Sequence, residues 1–186
     1  ESIRPAWITR KKNLIAQNAK YDTLVILHDY IKFDADWYLG MVRYLAENGD
    51  FDILSNRIKN LNGDRFRDWS LFPLFVEGQY GVARHEKAAE ISASGCLLPY
   101  DFKSNEKINP YIYYSGAFFI VKKKILLAIP LDERLSWGQG EDVVWCRFLS
   151  QKFLFKFNQY STVHFMKLKE SPPWQKNIDV DLVKFL

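Results

Sequence analysis

Cysteine is scarce, with only Cys96 and Cys146 in 186 residues, far apart and without metal-site spacing. A cysteine-rich framework is therefore excluded; the two read as reduced thiols, with a single disulfide as the alternative. Cys146 falls in an apolar stretch that should bury it. No apolar run approaches the ~20 residues of a membrane span, and no stretch reads as a signal peptide. Internal repeats and low-complexity segments are also missing. Neither charge sign dominates: 26 Lys and Arg stand against 22 Asp and Glu, a net +4. That is mildly basic and not the composition of a nucleic-acid binder, so no nucleic-acid partner is expected. The expected location is cytoplasmic, or within a soluble domain of a larger protein.

What is present is an ordinary globular balance, 48% hydrophobic and 26% charged, in a length that suits one domain with a sizeable core. Aromatic residues reach 16%, as core rings or as stacking platforms for sugars or bases. The basic runs Lys122-Lys123-Lys124 and Arg10-Lys11-Lys12 read as solvated helix faces, or as contacts for an anionic ligand.

The hydrophobic pattern alternates helix and strand, so the fold class is α/β. Residues 8–19 place Ile8, Lys12, Ile15 and Ala19 at helical spacing. Thr23 to Leu27 is a continuous apolar run, the pattern of a parallel strand buried on both faces. It ends at His28-Asp29-Tyr30, and ligands in open α/β sheets bind at the carboxyl ends of strands. Asp34 or Asp36 caps a helix with the apolar stripe Trp37, Met41, Val42 and Leu45, ended by Gly49. Further strands are expected at Phe51 to Leu54, Leu71 to Val76, Tyr111 to Val121 (interrupted at Ser115-Gly116), Phe153 to Phe157 and Ser161 to Phe165. Helices are expected at Lys122 to Ile129 and Asp142 to Gln151. The chain reads as a single domain over 1–186, with a polar tail at 166–186, carrying Pro172-Pro173, that wraps the surface.

The segment Trp137-Gly138-Gln139-Gly140-Glu141-Asp142 is the most informative. Two glycines give a tight loop before an acidic pair that opens a helix. The plain reading makes Asp142 an N-cap and Glu141 a first-turn carboxylate favoured by the helix dipole. The sharper one makes the pair part of a site, with a general base aimed into the space left by the glycine loop.

Read in order, Ile8 to Tyr30, Tyr113-Tyr114-Ser115-Gly116-Ala117-Phe118-Phe119 and the Trp-Gly-Gln-Gly-Glu-Asp segment resemble the GT-A glycosyltransferases of the family 2 type and the β-1,4-galactosyltransferases. The resemblance spans roughly residues 8–165. It implies a mixed central sheet flanked by helices, and an inverting hexosyltransferase. The donor would be a nucleotide sugar, more often a UDP-sugar, and the acceptor a glycan or glycolipid hydroxyl. It implies Asp142 as the base, with Glu141, Trp137 and Gly140 around the acceptor. It implies Arg10, His28, Asp29, Tyr114 and Gly116 around the donor, with Gly116 admitting the sugar close to the backbone. A divalent cation, Mn²⁺ or Mg²⁺, would be held by Asp29 and His164, acting on the diphosphate as a Lewis acid. His28 and Tyr30 stand where the family's metal motif has further acids. Arg10 also reads as a surface arginine, and His164 as a half-buried strand histidine.

Members of the family begin with βα units that bind the nucleotide base. The resemblance therefore implies either that part of the N-terminal nucleotide-binding half lies upstream of Glu1, or that a shorter segment does its work. The reading from another class is a non-catalytic, glycosyltransferase-like module that binds a glycan or a protein.

Overall fold

The computed structural model describes residues 7–71 and 96–170. Helix α1 (Ile8–Asn18) is followed by β1 (Thr23–Leu27), β2 (Ile31–Phe33), α2 (Trp37–Asn48), β3 (Ile53–Lys59) and β4 (Trp69–Leu71). Then come β5 (Cys96–Leu97), a 3₁₀ turn at Asn109–Tyr111, β6 (Ile112–Tyr114), β7 (Phe118–Lys122), α3 (Lys123–Ala128), α4 (Glu141–Ser150) and β8 (Phe155–Phe165). A five-stranded sheet runs β1-β7-β3-β8-β2, and a three-stranded sheet runs β5-β4-β6. Residues 72–76 of the expected Leu71 to Val76 strand, and the tail beyond residue 170, lie outside the described residues.

The core follows from β7, which is buried on both faces. Phe119 and Val121 join Leu24, Ile26, Ile53 and Phe155 in one apolar cluster with Ile125 and Leu126 of α3. Phe118 and Ile120 join Leu54, Ile58, Val163 and Phe165 in a second, under Met41 and Tyr44 of α2. Strand alternation thus feeds two layers at once, and burying each such side chain contributes about 1.5–3 kcal/mol.

Two expected strand assignments change. The apolar run at β1 is not a doubly buried parallel strand. It pairs antiparallel with β7 at the end of the sheet order, with Leu24 and Ile26 buried and Thr23 and Leu27 exposed. The parallel pair is instead β3 with β8. The strands expected at Phe153 to Phe157 and Ser161 to Phe165 are one strand, β8, broken by a shift in register: Asn56 faces Asn158, but Arg57 faces Thr162. Asn158 closes this bulge, its Oδ1 accepting from Tyr160 N at 2.8 Å and its Nδ2 donating to Ser161 Oγ at 2.8 Å.

The buried faces of two helices also differ from the hydrophobic pattern. In α2, Gly40, Met41 and Tyr44 are buried, while Val42 and Leu45 are exposed. Gly49 ends the helix at φ 71° as expected. In α1 the buried residues are Thr9, Lys12, Asn13 and Ala16, while Leu14 and Ile15 are exposed. This polar face clasps the segment before the glycine loop. Asn13 Nδ2 donates to Leu131 O at 2.9 Å, Leu131 N–H donates back to Asn13 Oδ1 at 3.0 Å, and Thr9 Oγ1 donates to Leu135 O at 2.9 Å. The α1 helix therefore holds the loop that shapes the site. No helix among the described residues is long and apolar enough to cross a membrane.

Candidate active site

The glycine loop is a backbone device. Gly138 has φ 81° and Gly140, the N-cap of α4, has φ 74°, a region that disfavours residues with a Cβ. These two reversals set Glu141 and Asp142 in the first turn of α4. Asp142 is therefore not the cap. Its Oδ2 accepts from the Tyr113 hydroxyl at 2.7 Å and from Gly116 N–H at 2.8 Å, and its Oδ1 accepts from Val143 N–H at 3.0 Å. An ionised carboxylate offers about four lone-pair positions. Three are taken, and the carboxylate is fixed in orientation.

Gly116 lies in the link where the chain leaves the small sheet (β6) for the large one (β7). A Cβ built on it would stand 2.7 Å from Asp142 Oδ2 and 2.8 Å from Asp142 Cβ. The space that glycine leaves is filled by Asp142, so it serves the carboxylate rather than close approach of a sugar. From the other side, buried Lys12 donates to Gly116 O at 2.7 Å. Burial pulls the Lys12 ammonium below its usual range, and the charges of Asp142 and Glu141 oppose that.

The acidic pair opens on a cavity of about 340 Å³, whose lining includes His28, Arg67, Tyr113, Trp137, Glu141 and Asp142. Glu141 is buried, and burial pushes its carboxyl upward, with Asp142 adding to the rise. Arg67 is held in its charged form chiefly by Tyr113, then by Asp142 and Glu141. Burial pushes His28 down to about 4, with Lys12 and Lys169 adding to the fall. Its Nδ1 is 2.5 Å from the Tyr30 hydroxyl, and its Nε2 is buried with no hydrogen-bond partner. Trp137 is 60% exposed at the mouth. The site thus combines a buried glutamate, a half-buried aspartate fixed in orientation and an exposed aromatic face.

The expected residues divide. Glu141, Asp142, Trp137, Gly140, Gly116 and His28 all line this cavity. Asp29 is exposed and lines a neighbouring outer cavity of about 450 Å³. Tyr114 is not at the site: it is 1% exposed, and its hydroxyl donates to Lys156 O. Alternation along β6 puts Tyr113 at the site instead. Arg10 pairs with Glu133 at 3.0 Å and lines neither cavity. His164 faces Asp34 at 3.5 Å. It sits between Val163 and Phe165, and Phe165 is the residue that reaches the cavity. In the ladder His164 is opposite Lys32, and it lines neither cavity.

Sequence reasoning missed Lys12, Tyr113, Arg67 and Lys169 as site residues. Lys12 had a signal in the run Arg10-Lys11-Lys12, and Tyr113 in the segment Tyr113-Tyr114-Ser115-Gly116, where its neighbour Tyr114 is the residue chosen. Arg67 offered none beyond its residue type.

A divalent cation takes several oxygen ligands. Among the described residues no group of three or more His, Cys, Asp and Glu could hold a metal. Among the described residues Asp29 is the sole carboxylate of the outer cavity, which Lys11, Lys12, Lys167 and Lys169 also line. This donor set does not fit a divalent cation, and His164 is not among the residues that line the cavity with Asp29.

No protein-family model matches the sequence, and no curated protein matches it. Among solved structures, the chain is similar to a crystal structure of GalNAc-T7 with UDP, GalNAc and Mn²⁺, at TM-score 0.55 and 15% identity. The match covers 94% of this chain and 32% of that one, so the chain spans about a third of that neighbour's length. The likeness is one of fold: a mixed α/β, GT-A-like sheet flanked by helices.

Proposed function

We propose that this chain carries the acceptor side and part of the donor side of an inverting glycosyltransferase, which moves a hexose from a UDP-sugar to a hydroxyl of a glycan or glycolipid. The observation that carries the reading is Asp142, held by Tyr113 and Gly116 at the floor of a cavity with one lone-pair position left over. A general base must lie within hydrogen-bond reach of the oxygen it deprotonates. The acceptor hydroxyl gives its proton to Asp142. Its oxygen forms the new bond to the anomeric carbon as the bond to the diphosphate oxygen breaks and the nucleoside diphosphate leaves. Glu141 accepts hydrogen bonds from other acceptor hydroxyls, and Trp137 stacks on the acceptor ring. GalNAc-T7 with its UDP and GalNAc supports the class of chemistry through fold.

The test is Asp142→Asn, which keeps size but cannot take the proton. Transfer from UDP-sugars to a glycan panel, followed by mass spectrometry, should fall about 10²–10⁴-fold, with UDP affinity unchanged. A variant that transfers at the wild-type rate refutes the assignment. One observation favours a second reading, a non-catalytic glycan-binding module: among the described residues Asp29 has no second acid beside it in the outer cavity. Glycan binding by the wild type with no transfer or UDP-sugar hydrolysis would select that reading.

A further inference from the structure

The outer cavity, described above only for what it lacks, has a composition of its own. It shares His28, Tyr30, Trp137 and Lys169 with the inner cavity, so the two spaces adjoin across these residues. The inner one holds the acid pair. Among the described residues the outer one gathers four lysines against Asp29 alone. Lys167 Nζ stands 3.7 Å from the centre of the Tyr30 ring, and Lys169 Nζ stands 4.9 Å from the same centre. Lys169 Nζ also stands 6.0 Å from the Trp137 ring. Lys12 is buried, with its ammonium on Gly116 O. Among the described residues none of these lysines forms an ion pair with a carboxylate. Like charges so gathered repel one another, which an anion placed among them would relieve. The orphaned His28 Nε2 lies between the two cavities and adds a polar group in need of a partner.

We propose that the outer cavity is a diphosphate site in which Lys12, Lys167 and Lys169 supply the positive charge, so that the nucleoside diphosphate is held without a divalent cation. This rests on the glycosyltransferase reading for the identity of the ligand, not for the anion chemistry. Ammonium groups bind phosphate oxygens as point charges, and three of them balance the charge of a diphosphate. The arrangement puts the anion next to the cavity that holds Asp142, where a departing diphosphate would be stabilised. Tyr30 and Trp137, the rings under the lysines, wall the passage between the spaces.

The experiment is calorimetric titration of the chain with UDP and with inorganic pyrophosphate, each with EDTA and with Mn²⁺. Both ligands should bind equally well with the chelator, and more weakly as salt rises. Lys169→Met should weaken both about tenfold or more, the loss of one charge-assisted contact, and Lys169→Arg should restore most of the affinity. Lys167→Met, at an exposed position, gives a second reading with no burden on the fold. Binding of UDP only when Mn²⁺ is present overturns the proposal and leaves the glycosyltransferase reading standing. Pyrophosphate binding without UDP binding upholds the anion site and removes the nucleotide-sugar reading. Binding of neither ligand under any condition overturns both.

Discussion

Replacing Gly116 with alanine tests the geometry of the site without assuming a substrate. Gly116 does not need a left-handed backbone; what it lacks is space. The new methyl would meet Asp142 Oδ2 at 2.7 Å and Cβ at 2.8 Å, closer than real Cβ contacts lie, and Cγ at 3.1 Å, a tight contact. Two responses are open. If the link and α4 move apart, the cost is that of overpacking, about 1–3 kcal/mol. If the Asp142 side chain rotates away, the Gly116 N–H and the Tyr113 hydroxyl lose a charged acceptor, about 1.5–3 kcal/mol for each such bond. The cheaper response sets the cost, so Gly116→Ala should lower the unfolding free energy by about 1–3 kcal/mol, read from the urea midpoint at constant slope. In the Asp142→Ala background two of the three close atoms are gone and Asp142 Cβ remains, so the penalty of Gly116→Ala should shrink without vanishing. That is a coupling a double-mutant cycle detects. Additive effects, or a Gly116→Ala variant within about 0.5 kcal/mol of wild type, would refute the claim that this glycine exists to house the carboxylate.

Two further predictions follow from buried charge. Asp68 is fully buried, and it accepts from Arg65 Nε and Nη2 and from the backbone N–H of Trp69 and Ile58. Asp68→Ala leaves the Arg65 charge with Leu98 O and the Tyr100 ring and should cost about 3–5 kcal/mol; a loss under about 1 kcal/mol by denaturant unfolding would show the pair to be solvated. Glu141 has a carboxyl raised by burial, so the folded state holds its proton more tightly than the unfolded state. Its contribution is present below the unfolded value of about 4.3 and is lost as pH climbs through the folded value. Glu141→Gln should therefore gain thermal stability over wild type as pH rises from 4 towards 7, while weakening acceptor binding; melting curves that stay parallel across that range would contradict this.

What was legible in the sequence was local. The paired glycines and the acids after them were legible because a positive φ and a helix start are decided within a few residues, and the structure places both where that reading needs them. The strand run from Tyr111 to Val121 was legible with its break at Ser115-Gly116. The sheet to which each half belongs was not, and without it period-two alternation could not tell Tyr113 from Tyr114. The error at β1 has the same root. Five apolar residues in a row carry no period, and only pairing with β7, almost a hundred residues away, made Leu24 and Ile26 inward and Leu27 outward.

The α1 helix shows the limit most sharply. A search for an apolar stripe found Ile8 and Ile15, but the buried face carries Thr9, Lys12 and Asn13. Their partners are backbone groups at Gly116, Leu131 and Leu135, more than a hundred residues along the chain. A polar side chain that is buried must find its hydrogen bonds, and these find them on the segments that carry Gly116 and lead into the glycine loop before Asp142. Hydrophobicity alone cannot register such a helix as a component of a site. The Lys-Lys pair inside Arg10-Lys11-Lys12 divides accordingly: Lys11 is exposed, while Lys12 goes under the site, where desolvation is tolerable because Glu141 and Asp142 are close. A basic triplet that reads as a solvated face therefore contributes the ammonium that ties α1 to the floor of the cavity.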